Sequence, residues 1–467
     1  MLRKMQKRMT MLLHKHFSGE TMDYRQVSAL FLPILIDQAF IIGLSVVNTA
    51  MISSSGVAAI SAVNMVDALH ILLINIFVAV ATGGTVVVAQ YKGSRNPLMV
   101  SRATAASVTA VTLLAAAIAL LLVSLHQPIL RVLFGTASPD VMESARVYLI
   151  GSSISYVGLA VVQAVCGSLR GVGKTRAALA LSLIMNALYV LLNLLFIQML
   201  DMGVQGMTIA INIARYAGAA CALYYLFKLD ATLHIRLVDL FHVPLSMLRK
   251  ILFIGLPFAA EQVFFNGGKL LTQVFIVSLG TYAIATNAIA GSLAGFIQIP
   301  GAALSLTIVT VVGQCIGSGN IADARKFIRS FLWLGSGMLA VAGLLVLPLF
   351  HPLIGLFEPP SEIVGDIFLL LVVIVVAQVP LWSASFILPA ALRAAGDARF
   401  TSITSMLTMW LFRLSLGYVL GITMGMGILG IWIAMILEWG VRGAVFMRRL
   451  EGEKWHTHRL IKETEKG

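Results

Sequence analysis

Charge is what this sequence has least of. Asp, Glu, Lys and Arg make up 11% of its 467 residues, against 59% hydrophobic, and the mean hydropathy is +0.94. A soluble domain carries about a quarter of its residues charged. So few charges cannot cover a water-facing surface, and lipid is the solvent that tolerates such a composition. Acids are scarcer than bases, 20 against 33, for a net charge of +13. The bases lie between long apolar runs, which makes them a topology signal and an attraction to anionic lipid heads, and argues against a nucleic-acid partner. Cysteine is nearly absent. Cys166, Cys221 and Cys315 sit within or beside apolar stretches without metal-ligand spacing. An odd, buried set of this kind gives no disulfide framework. There is no H-E-x-x-H and no histidine cluster, and only His70 lies deep in an apolar run. A membrane-embedded enzyme therefore lacks a visible nucleophile or metal set. The N-terminus, MLRKMQKRMTMLLHKHF, has no uninterrupted apolar core of the kind a cleavable signal peptide needs. Its Leu2, Met5, Met9, Leu12 and Leu13 fall at helical spacing, which predicts a short amphipathic helix on the inner membrane surface.

What is present is a series of apolar runs. A bilayer core needs roughly 20 apolar residues per helix. The runs read as spans over 27–50, 57–90, 100–125, 146–167, 178–200 and 205–227, then 251–279, 282–313, 330–350, 367–391, 400–422 and 427–447. Of the 33 lysines and arginines, 27 fall in residues 1–26, in the even loops or in the tail from 446 onward. The odd loops hold only Arg131 and Arg146, and the loop at 351–366 carries Glu358, Glu362 and Asp366 with no base. Both termini are expected in the cytosol of a multi-pass protein of the cell (inner or plasma) membrane.

The chain also repeats itself. Pro33-x3-Asp37-Gln38 recurs as Pro257-x3-Glu261-Gln262, Gly56 as Gly280, and VVAQYKGS with Gln90 as VVGQCIGS with Gln314, all at an offset of 224. LRGVGKTR from Leu169 recurs as LRAAGDAR from Leu392, at 223. Six spans per half is an even number, so both halves enter from the same side and their pseudo-two-fold axis runs along the membrane normal. The expected organisation is a cytosolic amphipathic N-terminus (1–26), a six-helix bundle (27–227), a cytosolic linker (228–250), a second six-helix bundle (251–447) and a cytosolic tail (448–467). TLHIRLVDLF in the linker reads as a helix on the inner surface.

These motifs resemble the multidrug and toxic compound extrusion (MATE) family. The matching pieces are LPILIDQAFIIGLSVVNTAM, VVAQYKGS, LRGVGKTRAALALSLIMNALYVLLN, LRAAGDARF and the arginine of MWLFRLSLGYVLG, and together they cover nearly the whole chain. The resemblance implies an all-α fold of twelve transmembrane helices in two six-helix bundles around a central cavity. It implies export of cationic or amphipathic small molecules in exchange for protons or sodium, by alternation between inward-open and outward-open states, with no cofactor beyond the coupling ion. The chain departs from the family at Asn48, where many members carry an Asp, and near Trp382, where some sodium-coupled members have an Asp. Its Glu261 lies about one turn nearer the start of span 7 than in those members.

An ionisable group deep in a bilayer is expensive and marks function by default. Asp37, Asp67 and Glu261 are expected near mid-depth, where a desolvated carboxylate can hold a proton or bind sodium. Asn48 falls on the same helix face as Asp37, and Asn186, Tyr189 and Asn193 form one polar stripe in span 5. A sodium site near Asp37 or Asn193 follows as a possibility. Each residue also has a structural reading: Asp37 and Glu261, one turn past a proline, can brace a helix break; Asp67 can pair with His70; asparagines can hold helices together. The candidate coupling or substrate residues are thus Asp37, Gln38, Asn48, Asp67, Asn186, Tyr189, Asn193, Glu261, Gln262 and Arg413. Four bases lie within spans. Arg442 is four residues after Glu438, a structural pair near the inner face; Lys269 is too far along its helix to reach Glu261; Arg413, at the repeat position of Tyr189, either neutralises an acid or holds carbonyls. SLRGVGKT ends like a phosphate-binding loop, but Ser168 stands where the first glycine is required and no strand precedes it. The competing transport reading is a flippase for a lipid-linked precursor, which needs a basic cavity for pyrophosphate. A lone functional chain, working as a monomer on a small molecule, is the simplest reading of two bundles in one polypeptide.

Overall fold

A computed structural model describes residues 11, 14–53, 56–135, 137–230, 233, 235–457, 460 and 461, and these are helical almost throughout. The first half runs α1 (Tyr24–Ser53), α2 (Val57–Gly93), α3 (Pro97–Ser124), α4 (His126–Phe134), α5 (Pro139–Ile154), α6 (Tyr156–Gly171), α7 (Thr175–Asn193) and α8 (Gly203–Tyr224). The second runs α9 (Leu245–Ser278), α10 (Thr281–Ser318), α11 (Ile321–Val346), α12 (Phe350–Ile354), α13 (Ser361–Trp382), α14 (Leu388–Ala394), α15 (Ala398–Thr408), α16 (Ser415–Tyr418) and α17 (Gly427–Glu451). Wide turns of π-helix extend α7 and α8 and join α13 to α14 and α15 to α16. Among the described residues eleven helical stretches are long and apolar enough to cross a membrane, and α5 with α6, bent by 43°, makes a twelfth when the pair is counted as one span. The amphipathic pattern read over Leu2, Met5, Met9, Leu12 and Leu13 lies outside the described residues.

The repeat is visible in backbone detail. Gly56 and Gly280 precede α2 and α10 with φ of 93° and 97°, a left-handed conformation open to glycine and costly for side chains bearing a Cβ. The helices they start are 37 and 38 residues long, far more than a bilayer core needs at 1.5 Å per residue. Pro33 and Pro257 both lie inside their helices, α1 and α9. One correction concerns span 4. Read as 146–167, it is a broken pair, α5 and α6, hinged at the fully buried Ser155. Its repeat partner keeps one line from Ser361 to Ala394 by absorbing the irregularity in the π-turn at Ser383–Ile387. Cys166 and Cys315 are buried, but Cys221, expected to be so, is exposed. The linker segment is a single 3-10 turn, Leu237–Leu240, with Leu237, Val238 and Phe241 exposed; Thr109 donates to the Leu240 carbonyl at 2.8 Å and Ser101 donates to that of Leu233.

Contacts divide the chain into two compact units, Met1–Leu35 with Ala260–Lys466, and Ile36–Ala259. Both boundaries fall inside helices, at Ile36 in α1 and Ala260 in α9, and they are 224 residues apart, the offset of the repeat. Each boundary lies next to the proline–acid motif.

Within the first of these units the segment before α1 is tied to α11. Thr21 N donates to Asp323 Oδ2 at 2.8 Å, Ser330 Oγ to the His16 carbonyl at 2.8 Å and Lys326 Nζ to the Ser18 carbonyl at 2.6 Å, and Phe17 meets Phe331 edge-on at 5.7 Å. Ser18 Oγ donates to Asp23 at 2.5 Å, which holds that exposed carboxyl below its usual range. After α17, Trp455 is fully buried beneath Arg325, whose guanidinium lies 6.0 Å from the ring centroid.

In Ile36–Ala259, α2 crosses the first turns of α9 backbone to backbone. A Cβ on Gly83 would lie 2.5 Å from the Ile251 carbonyl oxygen, and one on Gly255 would lie 2.8 Å from Val80 Cα. Close approach through small residues is how membrane helices gain van der Waals contact without a hydrophobic drive. Gly83→Leu and Gly255→Leu are each expected to destabilise the protein by about 1–3 kcal/mol through overpacking. Gly43→Leu, whose Cβ meets nothing within 4 Å, is expected to be neutral. Thermal unfolding midpoints in detergent check this, and a Gly43 variant as unstable as the other two would contradict it.

Candidate functional site

The repeated acids meet the repeated arginines. Asp37 Oδ2 lies 4.0 Å from Arg170 Nη1. Glu261 Oε2 lies 3.3 Å from Arg393 Nη1 and accepts from Ser402 Oγ at 3.0 Å. Arg170 and Arg393 are the arginines of LRGVGKTR and LRAAGDAR, so the pairs are related by the repeat. Asp37 and Glu261 are 6% and 8% exposed, and each needs its partner because an unpaired ion under such burial costs several kcal/mol. The two are not equally satisfied. Glu261 holds two donors on one oxygen, whereas Asp37 Oδ1 is buried and accepts no hydrogen bond among the described residues. The expected mid-depth placement was reckoned from helix starts at 27 and 251; α1 begins at Tyr24 and α9 at Leu245. The arginines come from the last turns of α6 and α14, so both acids lie toward the ends of the units where the LRGVGKTR and LRAAGDAR segments turn.

Asp67 belongs to a different cluster, at the break between α5 and α6. Its Oδ1 accepts from the Tyr148 hydroxyl at 2.9 Å. His70 pairs instead with the Tyr156 hydroxyl and, at 2.6 Å, with Ser152 Oγ, so Asp67 and His70 do not bond to each other as the one-turn spacing had allowed. Arg215 Nη1 donates to Ser155 Oγ at 2.8 Å, close enough to act electrostatically on Asp67. Tyr189 packs on the apolar cluster that includes Val63, Val66 and Tyr148. Of its stripe, Asn186 turns back to the Ser182 carbonyl at 2.9 Å, Asn186 and Tyr189 are half-buried, and Asn193 is fully buried. Neither polar atom of Asn193 makes a hydrogen bond among the described residues; Tyr189, one turn earlier, is its polar neighbour. Gln38 and Gln262 flank their acids without side-chain hydrogen bonds among the described residues. The side chain of Asn48 lies outside them.

A duplicated helical frame with an acid–arginine pair in each copy matches a known sequence pattern. The MatE profile fits residues 33–195 and again 257–419, two passes separated by the 224-residue offset. The chain belongs to the MatE family. It is 29% identical over 428 residues to a Bacillus subtilis protein described as an uncharacterized transporter, YisQ, covering 91% of this chain and 93% of that one. It is 24% identical to a probable multidrug resistance protein NorM of Thermotoga maritima, over 94% of each. Its fold matches an outward-facing multidrug resistance MATE transporter of the MOP superfamily with a TM-score of 0.83 at 18% identity, over 95% of this chain and 98% of the other. The MATE chain is therefore a multi-pass membrane transporter and not an enzyme, and the family match does not favour the flippase alternative.

The interior of the second half is unlike that of the first. Glu438 and Arg442 pair at 2.7 Å with side-chain exposures of 0% and 2%, the structural pair expected from their spacing. Arg442 Nε donates to Ser385 Oγ at 2.6 Å and its guanidinium lies 4.5 Å over Phe386. Arg413 neither neutralises an acid at contact nor holds a carbonyl; its Nη1 reaches the Met409 sulfur at 3.7 Å and its guanidinium stands 5.9 Å from the Phe265 ring. Reasoning from sequence missed Arg170, Arg393, Tyr148, Tyr156 and Phe265. The arginines were findable, because an Arg recurring with an acid at one offset is a pair the fold has kept twice. The tyrosines carry no such signal.

Removing one partner of a buried pair leaves an uncompensated ion, whereas removing both can be nearly neutral. Glu438→Leu is expected to destabilise the protein by about 3–5 kcal/mol, and adding Arg442→Met to recover most of that loss. Unfolding midpoints of the two variants in detergent give the comparison; a double variant no better than the single would contradict it.

Proposed function

We propose that this MATE transporter exports cationic or amphipathic small molecules in exchange for protons or sodium, by alternating access. The observation that carries the reading is the buried acid–arginine pair repeated at Asp37–Arg170 and Glu261–Arg393. A carboxylate with a vacant, buried oxygen beside a distant arginine, as at Asp37, is a place where a proton or a small cation can sit. Loading it weakens the attraction to the arginine, and unloading restores it, which gives occupancy a mechanical consequence. The motif stands where the division between the two compact units cuts α1 and α9, beside Pro33 and Pro257. A proline removes one backbone hydrogen bond and lets a helix bend there, so the same stretch can sense the ion and flex. Asp67, held by Tyr148 and near Arg215, is the second acid of the first pass available for the cycle, with Tyr189 and Asn193 beside it. Gln38, Gln262 and Asn48 are proposed as polar neighbours of the coupling acids. The bundles proposed to alternate are residues 27–227 and 251–447, joined by 228–250, in a monomer with both termini in the cytosol of a bacterial cell. The basic residues concentrated in the even loops and at the termini support that orientation.

Asp37→Asn and Glu261→Gln are expected to insert and fold yet lose gradient-driven efflux of a cationic dye from proteoliposomes. Full efflux by both would remove these acids as coupling groups. Imposing a pH gradient and a sodium gradient separately on the unsubstituted protein is expected to give efflux with one of them and not the other. Efflux with neither, in vesicles shown to hold both gradients, defeats the antiport reading.

A further inference from the structure

We infer that the interior of the unit formed by residues 260–466 with 1–35 holds a binding site for an oxyanion, the carboxylate or phosphate of an amphipathic cargo, built by Lys269 and Arg413 beside Phe265. The inference rests on the transporter reading and deepens it by naming a charge the cargo carries.

The charge balance of this interior does not close. Arg393 is matched by Glu261 at 3.3 Å and Arg442 by Glu438 at 2.7 Å. Lys269 and Arg413 have no carboxylate within 4 Å among the described residues, and Lys269 makes no hydrogen bond there. Arg413 Nε is buried without a hydrogen-bond partner among those residues. What the two cations share is the Phe265 ring, with Lys269 Nζ 5.0 Å and the Arg413 guanidinium 5.9 Å from its centroid; Arg442 is also 5.9 Å away. A ring face attracts a cation by about 0.5–2 kcal/mol, too little to offset two unpaired charges within transmembrane helices.

The packing brings them together on purpose-built backbone. Gly268, next to Lys269, leaves room for Met409, one turn before Arg413; a Cβ at residue 268 would lie 2.6 Å from the Met409 methyl. Trp410 Nε1 donates to the Phe264 carbonyl at 3.3 Å and fixes the same crossing. Lys269 lies nine residues from the end of α9 and Arg413 ten from the end of its span at Thr423, about 15 Å at 1.5 Å per residue, beyond what a snorkelling lysine covers. Lys269 is nevertheless exposed and Arg413 half-buried, so the pair is not sealed in the core. The repeat sharpens the point. Arg413 occupies the position of Tyr189, and the acid Asp67 of the first half is replaced by Gly291 in the second, at the same 224-residue offset. At these two positions the second half has one acid fewer and one base more than the first. Arginine's planar fork and a lysine ammonium about one ring are the donors that carboxylates and phosphates accept from.

The test uses the full chain in detergent, with tryptophan quenching as readout and three probes of one shape: 1-naphthoate, 1-naphthyl phosphate and the uncharged 1-naphthamide. One or both anions are expected to bind about tenfold or more tighter than the amide, the value of one charge-assisted hydrogen bond, and which of the two binds names the head group. Lys269→Gln with Arg413→Gln is expected to erase that difference; Lys269→Arg, which keeps the charge, is expected to retain it. Equal affinity of the unsubstituted protein for all three probes overturns the inference, as does full anion preference in the folded double variant. If anion preference is present but gradient-driven efflux of a cationic dye is absent, the antiport reading fails and the site stands; the reverse result removes the site and leaves the transporter.

Discussion

The interaction on which the structure depends is the buried ion pair. Inside a protein surrounded by lipid an ion has no water to retreat to, and a lone one costs several kcal/mol. Asp37–Arg170, Glu261–Arg393 and Glu438–Arg442 each answer that cost. So do Lys174–Asp230 at 3.0 Å and Arg449–Asp397 at 2.7 Å, nearer the helix ends. Helices in lipid gain little from burying apolar surface against one another, so the pairs, with the close glycine crossings, are what select one arrangement of so many similar helices.

The frame was legible in the sequence because lipid imposes simple rules. Length, apolarity and the scarcity of charge specify the spans, and a fixed offset reveals the duplication; the boundary of the compact units at Ile36 and Ala260 repeats that offset in three dimensions. Resemblance to a known family added the expected chemistry and little of the geometry. The break at Ser155 was passed over in the sequence, although Gly151, Ser152, Ser153 and Ser155 interrupt the apolar run of YLIGSSISYVGLA with the small residues at which helices kink. The structure shows the kink through the partners of Ser155, its own bond to the Ser152 carbonyl at 2.6 Å and that from Arg215 at 2.8 Å. The partners of Asp67 and His70 were hidden for another reason. Helical spacing names neighbours on one helix, and these two found theirs on α5 and α6. Arg413 was legible as unusual but not as unpaired, because which acids reach a base depends on helix rotation that spacing along one chain does not encode.

The two halves keep the number of pairs more faithfully than their residues. Lys174 and Asp397 stand at corresponding places in LRGVGKTR and LRAAGDAR, with opposite charge, and each has acquired the opposite partner: Asp230 for one, Arg449 for the other. Arg215 and Glu438 correspond in the same way at an offset of 223, one bonded to a serine at a helix break, the other to Arg442. At Lys174 and Asp397 the charge has reversed together with its counter-charge, which is what a cost set by burial, and not by the identity of the residue, predicts, while Arg215 is met by a hydroxyl.

That regularity gives the exceptions their meaning. Where the frame gives most buried ions a counter-charge, an ion or polar group left without one is where function is looked for. Several buried polar atoms have no hydrogen-bond partner among the described residues, those of Ser107 and Gln378 included; the ones that bear on the charges within the spans are Asp37 Oδ1 and Asn193 in the first half and Arg413, with Lys269 at the same ring, in the second. The first pair offers oxygen acceptors suited to a proton or a cation, and the second offers donors suited to an anion. One duplicated scaffold thus presents opposite electrostatic characters in its two copies. On the exchange proposed above, that division would let the driving ion and the charged end of the cargo be handled by different helices, so neither would have to displace the other from the same groups.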